Sequence, residues 1–173
     1  VLTSPNQYKE FILDLEKNKG STSLELRKKL SREAFNLTAY YDSVISEYLN
    51  SMNNDYFPQK KTIHGNLVEV LRYGENPHQK SAIYSKNKDL DILQLSGKKL
   101  SYNNYNDIYA ALNISRTLPK NNGTVIVKHA NPCGISINNN KIKSYKEALA
   151  CDPISAFGGI VSCNFKINKK IAL

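Results

Sequence analysis

The feature that most constrains the fold is a stripe of apolar residues that keeps a helical period for about eight turns. The segment Thr22 to Glu25 just before it has the capping-box pattern and predicts the N-terminus of a long helix. The stripe consists of Leu26, Leu30, Ala34, Leu37, Tyr41, Val44 or Ile45, Tyr48 and Met52. A helix with one such face must cover it with other elements.

A shorter helix is expected earlier in the chain, because Ser4 is a favourable N-cap and Pro5 suits the first helical position. This helix is expected to end near Gly20. Two helices cannot bury their apolar faces alone, so we expect them to pack on a body outside these residues. The chain lacks an initiator Met and ends within a helical pattern at 165–173, which favours a fragment of a longer polypeptide.

The polar loop at 53–61 is the best candidate for a domain boundary. After it the pattern changes from helical to mixed. Strands are predicted at 67–71, 92–95, 125–127 and 160–163, and helices at 107–118 and 145–151. The predicted class of the chain after this loop is therefore α/β.

Charge and cysteine content bound the possible partners and compartment. The net charge of +9 raises nucleic acid as a partner, but the basic residues are spread along the chain instead of forming a block. A basic module that binds RNA or another polyanion is thus the alternative to a site for an anionic small molecule. Cys133, Cys151 and Cys163 form no disulfide framework and favour a reducing cytoplasm. No apolar stretch approaches the ~20 residues that span a bilayer, and we expect no membrane partner.

The chemically most informative segment runs from Val127 to Gly134, directly after an apolar run that predicts a buried strand. Lys128 and His129 stand where that strand ends, and a Pro/Gly turn is predicted after them. Two adjacent cations repel, so a neighbouring Lys favours the neutral imidazole, which can act as a base. The pair therefore suits proton transfer beside a fixed positive charge, although most such pairs are only structural.

Two further segments carry polar groups suited to a ligand, although each alone is also typical of a turn or a cap. Residues 72–79 follow a predicted strand, where Arg72 offers a guanidinium fork and Tyr73 an aromatic face. Before the helix predicted at 107–118, Asn104 is expected to serve the helix cap, whereas Asn103 could point its amide at a ligand.

The segment 152–159 combines a helix exit, a turn and the double glycine Gly158-Gly159. Paired glycines allow a planar ligand to approach the backbone, but before a strand they more often form only a tight turn. The combination of these segments carries more weight than any one of them.

A zinc site is an alternative, because a His and three cysteines are present. A nucleobase deaminase requires His-x-Glu followed by Pro-Cys-x-x-Cys. Here Asn131 stands where the Glu belongs after His129, and no second Cys follows Cys133 at the required spacing. We therefore predict no metal site.

In combination, these segments closely resemble the bacterial form of a bifunctional purine-biosynthesis family, AICAR transformylase/IMP cyclohydrolase. The matching segments are 22–27 with 34–35, 71–79, 101–104, 128–134 and 155–159. The resemblance implies that residues 1–64 are the C-terminal part of a methylglyoxal-synthase-like cyclohydrolase domain. Residues 65–173 would be the first part of a transformylase domain with a cytidine-deaminase-like α/β fold.

The resemblance also implies an activity: formyl transfer from 10-formyltetrahydrofolate to the 5-amino group of AICAR, and cyclisation of the product FAICAR to IMP. In that reaction His129 would be the general base and Lys128 would stabilise the developing charge. Nucleotide contacts are implied for Arg72, Tyr73, Asn103 and Gly158.

Other family features are expected to lie outside this chain. The catalytic lysine of the cyclohydrolase would precede Val1, and folate-binding residues would follow Leu173. Family members are implied to be homodimers whose transformylase sites form between subunits. We therefore expect this chain alone to catalyse neither reaction.

Overall fold

A computed structural model describes residues 1–87 and 89–172. Its helices are α1 (Tyr8–Lys17), α2 (Leu24–Met52), α3 (Tyr102–Thr117), α4 (Lys141–Cys151) and α5 (Lys169–Ala172). Its strands are β1 (Asn66–Val70), β2 (Ala82–Ser85), β3 (Gly123–Lys128), β4 (Asn131–Ile137) and β5 (Ile160–Cys163). The chain divides into two compact units: Val1–Asn66 with Tyr84–Asp89, and Leu67–Ile83 with Leu90–Leu173.

The N-terminal helix begins where the sequence predicts. Ser4 caps a 3₁₀ turn, Pro5–Gln7, which leads into α1. The Ser4 side chain accepts a hydrogen bond from the Asn6 amide, and the Gln7 side chain accepts one from the Ser4 amide at 3.1 Å. This reciprocal pair satisfies backbone donors that would otherwise lack partners at the helix start.

Helix α2 confirms the long helix, with a different cap from the one expected. Its N-cap is Ser23, not Thr22, because the Ser23 hydroxyl accepts a hydrogen bond from the Leu26 amide at 3.1 Å. Leu26 and Leu30 are buried, whereas the apolar side chains from Leu37 to Met52 on the predicted stripe stay largely exposed. Within the described residues of its unit, the N-terminal end of the stripe is thus covered and the rest is not.

The second unit is built on an antiparallel sheet of order β4-β3-β5, counted over the described residues. Val125 and Val127 of the central strand pack with Ala111 of α3. Successive side chains of a strand point to opposite faces, so Thr124 faces the other side, where it accepts a hydrogen bond from the Ser144 hydroxyl of α4 at 2.9 Å. Strand β3 is therefore covered by α3 on one face and by α4 on the other.

Close packing of α4 depends on Gly134 of β4. A Cβ atom added at Gly134 would lie 1.9 Å from the carbonyl oxygen of Ala148 in α4. No side chain fits in that space, so the glycine allows the helix backbone to approach the strand.

Several elements differ from the sequence prediction. Helix α4 begins at Lys141, four residues before the expected start at 145. The described residues 91–95 form no strand, and Leu93 and Leu95 are exposed; the strand the prediction missed is β2, which pairs with β1. Helix α3 begins at Tyr102, five residues before the expected start, because Ser101 and Asn104 form a capping box. The helical pattern at the end corresponds to α5, while Leu173 lies outside the described residues.

The architecture is mixed α/β, as predicted. Its likeness to methylglyoxal synthase and cytidine deaminase stays a prediction. None of the helices formed by residues 1–87 and 89–172 combines the length and apolar character needed to cross a bilayer.

Candidate active site

Lys128 and His129 stand at a two-residue hairpin turn between β3 and β4. Lys128 pairs with Asn131 across the ladder, and His129 and Ala130 form the turn with φ angles of 54° and 58°. Positive φ at both central residues is the pattern of a type I′ turn, which normally favours Asn and Gly. The turn therefore places the His129 side chain, which is exposed, directly after a strand whose residues are buried up to Val127.

The predicted position of this turn was wrong by a few residues. Pro132 and Gly134 lie within β4, not in the turn. The register shifts beside them, because Val127 pairs with Pro132 while the preceding Ile126 pairs with Gly134. Proline is tolerated there, since β4 is an edge strand of the sheet that the described residues form, and the irregular register at Pro132 removes the need for a backbone N–H donor.

Side chains from two elements hold the turn. The Ala130 amide donates to Oδ1 of Asp107 in α3 at 2.7 Å. The Asn131 side-chain amide donates to the His129 carbonyl oxygen at 2.9 Å. The turn is thus fixed both to the helix beneath it and to its own second strand.

Lys128 connects the end of β3 to the turn that precedes β5. Its Nζ donates a hydrogen bond to the Phe157 carbonyl oxygen. Next to it, Gly158 has a φ of 74°, and a Cβ added at Gly159 would lie 2.8 Å from the Val127 carbonyl oxygen. The double glycine therefore allows this turn to lie against the strand that carries Lys128 and His129.

These segments surround an open cleft of about 380 Å³. Its lining consists of Lys128, His129, Asn131, Pro132, Cys133, Asp152 and Ser155. Hydrogen bonds from the side chain and the amide of Ser155 hold the pKa of Asp152 below its usual range, and the amide donates to Oδ1 at 3.0 Å. The cleft thus presents a lysine ammonium, an imidazole and a carboxylate to one small volume.

Arg72 and Tyr73 form a second group in the same unit. The Arg72 guanidinium lies 4.7 Å from the centre of the Tyr73 ring and donates to its hydroxyl at 3.0 Å. Backbone hydrogen bonds from Arg72 to Leu100 and from Tyr102 to Tyr73 fix this loop to the start of α3. Arg72 is exposed, so its guanidinium is accessible to an anionic group.

Asn103 and Asn104 have different partners at the start of α3. Asn104 completes the capping box, as predicted. The Asn103 side-chain amide donates to the Glu75 carbonyl oxygen at 3.0 Å, so in this structure it holds the loop that carries Arg72 and Tyr73.

The structure thus brings Lys128, His129 and the Gly158 turn together, and joins Arg72, Tyr73 and Asn103 in a neighbouring group. Sequence reasoning missed several residues of the site: Asp107, Asn131, Asp152 and Ser155. Asp152 and Ser155 lie in the turn singled out by its glycines, whereas Asp107 carried no signal beyond its place in a predicted helix. Within the described part of the chain, no three His, Cys, Asp or Glu residues are grouped as a metal site would require.

Comparison with known proteins assigns the family. The profile of the AICARFT/IMPCHase bienzyme family matches residues 1–173. The chain belongs to this family. The bifunctional purine biosynthesis protein PurH of Persephonella marina is 44% identical over 176 residues, covering 97% of this chain and 34% of that protein. The PurH proteins of Rhizobium leguminosarum and Rippkaea orientalis are each 40% identical and cover 99% of this chain. The chain spans about a third of the length of these curated relatives.

Proposed function

We propose that this chain is a segment of a bifunctional enzyme of de novo purine biosynthesis and carries part of its AICAR formyltransferase site. The reaction is formyl transfer from 10-formyltetrahydrofolate to the 5-amino group of AICAR. Cyclisation of FAICAR to IMP belongs to the full-length protein, with the cyclohydrolase lysine outside this chain. The observation that carries the proposal is the Lys128-His129 pair, held on a hairpin turn at an open cleft.

The chemistry of the pair fits an amine attacking a formyl group. As the amine nitrogen bonds to the formyl carbon, His129 accepts the amine proton. The carbonyl oxygen becomes negative, and the Lys128 ammonium stabilises it. The bond from the formyl carbon to the folate nitrogen then breaks, and that nitrogen takes up a proton to give tetrahydrofolate.

The nucleotide is assigned to the neighbouring group. Arg72 would pair with its phosphate, Tyr73 would offer an aromatic face, and Asn103 would contribute a polar contact. Gly158, which belongs to the turn beside Lys128, would add a backbone contact to the nucleotide. The exposure of Arg72 and its orientation by Tyr73 support this assignment. A guanidinium held in place by stacking loses less freedom when it binds an anion.

The remaining assignments follow the same family relationship. Residues 1–64 belong to the cyclohydrolase domain, and residues 65–173 to the cytidine-deaminase-like transformylase domain. The full-length protein works as a homodimer in the cytoplasm, on small molecules and without a nucleic acid or membrane partner. The segment alone is inactive because it carries only part of each site.

The test is formyl transfer by the full-length protein, followed as tetrahydrofolate release with AICAR. His129→Asn is the decisive variant, because Asn tolerates positive φ and keeps the turn while removing the base. We expect kcat to fall about 100- to 10,000-fold with AICAR binding retained. His129→Gly, which also accepts positive φ, is expected to lose activity to the same degree.

Other outcomes would contradict the proposal in different ways. Activity that survives both substitutions would remove His129 from its role but leave the reaction. A wild-type protein without turnover would contradict the reaction itself. In that case, steeply salt-dependent binding to random-sequence RNA would favour the basic polyanion-binding module.

A further inference from the structure

The peptide unit between His129 and Ala130 is held at both of its polar ends. Its carbonyl oxygen accepts the hydrogen bond from the Asn131 side-chain amide at 2.9 Å. Its N–H donates to Oδ1 of Asp107 at 2.7 Å. We call this unit the clamped peptide. Both residues that flank it have positive φ although neither is glycine.

The orientation of the clamped peptide determines the type of turn. Types I′ and II′ both require positive φ at the first central residue, but they differ in the sign of φ at the second. Flipping the central peptide would convert type I′ into type II′, which normally has glycine at its first central position, so His129 opposes that flip and the alternatives to the observed turn lie outside both types. A Cβ disfavours the left-handed region, which means that Ala130 by itself opposes the observed type I′ geometry.

The position of Asp107 in α3 has no explanation in the helix itself. It lies five residues after Tyr102, beyond the first turn, where aspartate is a poor helix former and no longer acts as a cap. Its side chain is only partly exposed, and its Oδ1 is bonded to an amide 23 residues away. The hydrogen bond to Ala130 is the interaction that this residue supplies.

We propose that Asp107 is a positioning residue for formyl transfer, which acts by holding the clamped peptide and thereby the direction of the His129 side chain. The inference rests on the proposed function. Asn131 assists from the opposite end of the same peptide. Without the bond to Asp107, the Ala130 amide loses its partner and the turn relaxes toward geometries that point the imidazole elsewhere. A displacement of about 1 Å at a catalytic group can lower the rate ~100-fold.

The test compares Asp107→Ala and Asp107→Asn in the full-length protein, with and without Ala130→Gly. Asp107→Ala is expected to lower kcat about 10- to 100-fold, with KM for AICAR changed less than about twofold. Asp107→Asn keeps an acceptor oxygen and is expected to retain most of kcat. Ala130→Gly favours type I′ without help, so adding it to Asp107→Ala is expected to restore kcat to within about threefold of wild type.

Ser144→Ala provides the control for a general loss of stability. It removes a buried hydrogen bond to Thr124 on the other face of the sheet and is expected to lower Tm without changing kcat. A wild-type kcat for Asp107→Ala would overturn the inference. So would a loss of kcat that Ala130→Gly does not relieve, because the carboxylate would then act otherwise than through the turn.

A second readout separates this inference from the proposed function. Hydrogen exchange of the Ala130 amide reports the clamp directly and does not need turnover. We expect Asp107→Ala to accelerate that exchange at least about tenfold and Asp107→Asn to preserve protection. An unchanged exchange rate would overturn the clamp. Accelerated exchange in a protein without formyl transfer would confirm the clamp and contradict the function.

Discussion

Asn103 and Asp107 lie one helical turn apart on the same face of α3, and each bonds a different part of the candidate site. Asn103 holds the loop of Arg72 and Tyr73 through the Glu75 carbonyl, while Asp107 holds the hairpin turn through the Ala130 amide. One turn of a helix is rigid, so the loop of Arg72 and Tyr73, proposed to bind an anion, and the proposed base keep a fixed spacing.

Substituting the neighbouring residues Asn103 and Asn104 by alanine is expected to affect different properties, KM for AICAR in one case and stability in the other. Asn103→Ala removes the hydrogen bond to Glu75, loosens the loop and is expected to raise KM for AICAR by about tenfold. Asn104→Ala removes half of the capping box and is expected to lower the free energy of unfolding by about 1 kcal/mol, with KM unchanged. Steady-state kinetics and urea unfolding of both variants check this. Equal changes in KM would contradict the distinction.

We expect kcat to depend on the positive charge of the Lys128 side chain. Lys128→Met removes the ammonium and is expected to lower kcat about 100- to 1000-fold, the range found when a group that stabilises an oxyanion is lost. Lys128→Arg keeps the charge on a differently shaped group and is expected to lose less. The measurement is turnover at saturating AICAR and folate. A raised KM with an unchanged kcat would mean that Lys128 contributes to substrate binding alone.

Adding the same methyl group at two glycines is expected to lower the free energy of unfolding by very different amounts. Gly134→Ala places a Cβ 1.9 Å from the Ala148 carbonyl oxygen and is expected to destabilise the unit by about 3 kcal/mol or more. Gly158→Ala meets open space and carries only the penalty of positive φ, about 1–2 kcal/mol. Urea unfolding of the two variants gives the comparison. A larger loss for Gly158→Ala would contradict the close approach of α4 to β4.

Tyr105 predicts a loss of stability at alkaline pH. Burial raises its pKa to about 12, and the hydrogen bond to Glu69 and the Glu69 charge add to the rise. An unfolded tyrosine titrates near pH ~10. Between these values the unfolded chain releases the phenolic proton while the folded chain keeps it. Stability therefore falls as the pH rises, by at most about 1.4 kcal/mol per pH unit.

Tyr105→Phe is the matched variant, because it keeps the ring and removes the titrating hydroxyl. Its unfolding free energy, measured in urea from about pH 9 to 12, is expected to decline less steeply than that of the wild type. The difference between the two curves isolates Tyr105 from the other groups that titrate in this range. Parallel curves would contradict the raised pKa.

The elements that the sequence predicts well are those whose own residues determine them. The stripe after Leu26 defines α2 over its whole length, and the apolar runs define β3 and β5. The alternation at 92–95 misleads because a strand also requires a partner, which the pattern of one segment cannot supply. Strand β2 was missed for the converse reason: it is four residues long and is stabilised by its pairing with β1.

The sequence singles out the Lys128-His129 pair, and its chemical role stays a prediction; the geometry that holds the pair was not predicted. Lys128 and His129 are recognisable as a pair, yet a local pattern assigns the turn to Pro132 and Gly134, the usual turn residues. The observed turn uses His129 and Ala130, which disfavour positive φ, and depends on Asp107 from a distant part of the chain. Such a tertiary hydrogen bond leaves no mark in the residues around the turn.

The central position of β3 in its sheet affects how Lys128 responds to heating. Val125 and Val127 have no exposed surface, and the strand is bonded on both sides. Its amides are expected to exchange only when the sheet opens as a whole, whereas edge strands and helix ends open at lower cost. Lys128 is the last residue of this strand, so heating is expected to leave its backbone in place until the sheet melts. Loss of the Lys128 position and the cooperative melting of the sheet will then share one midpoint.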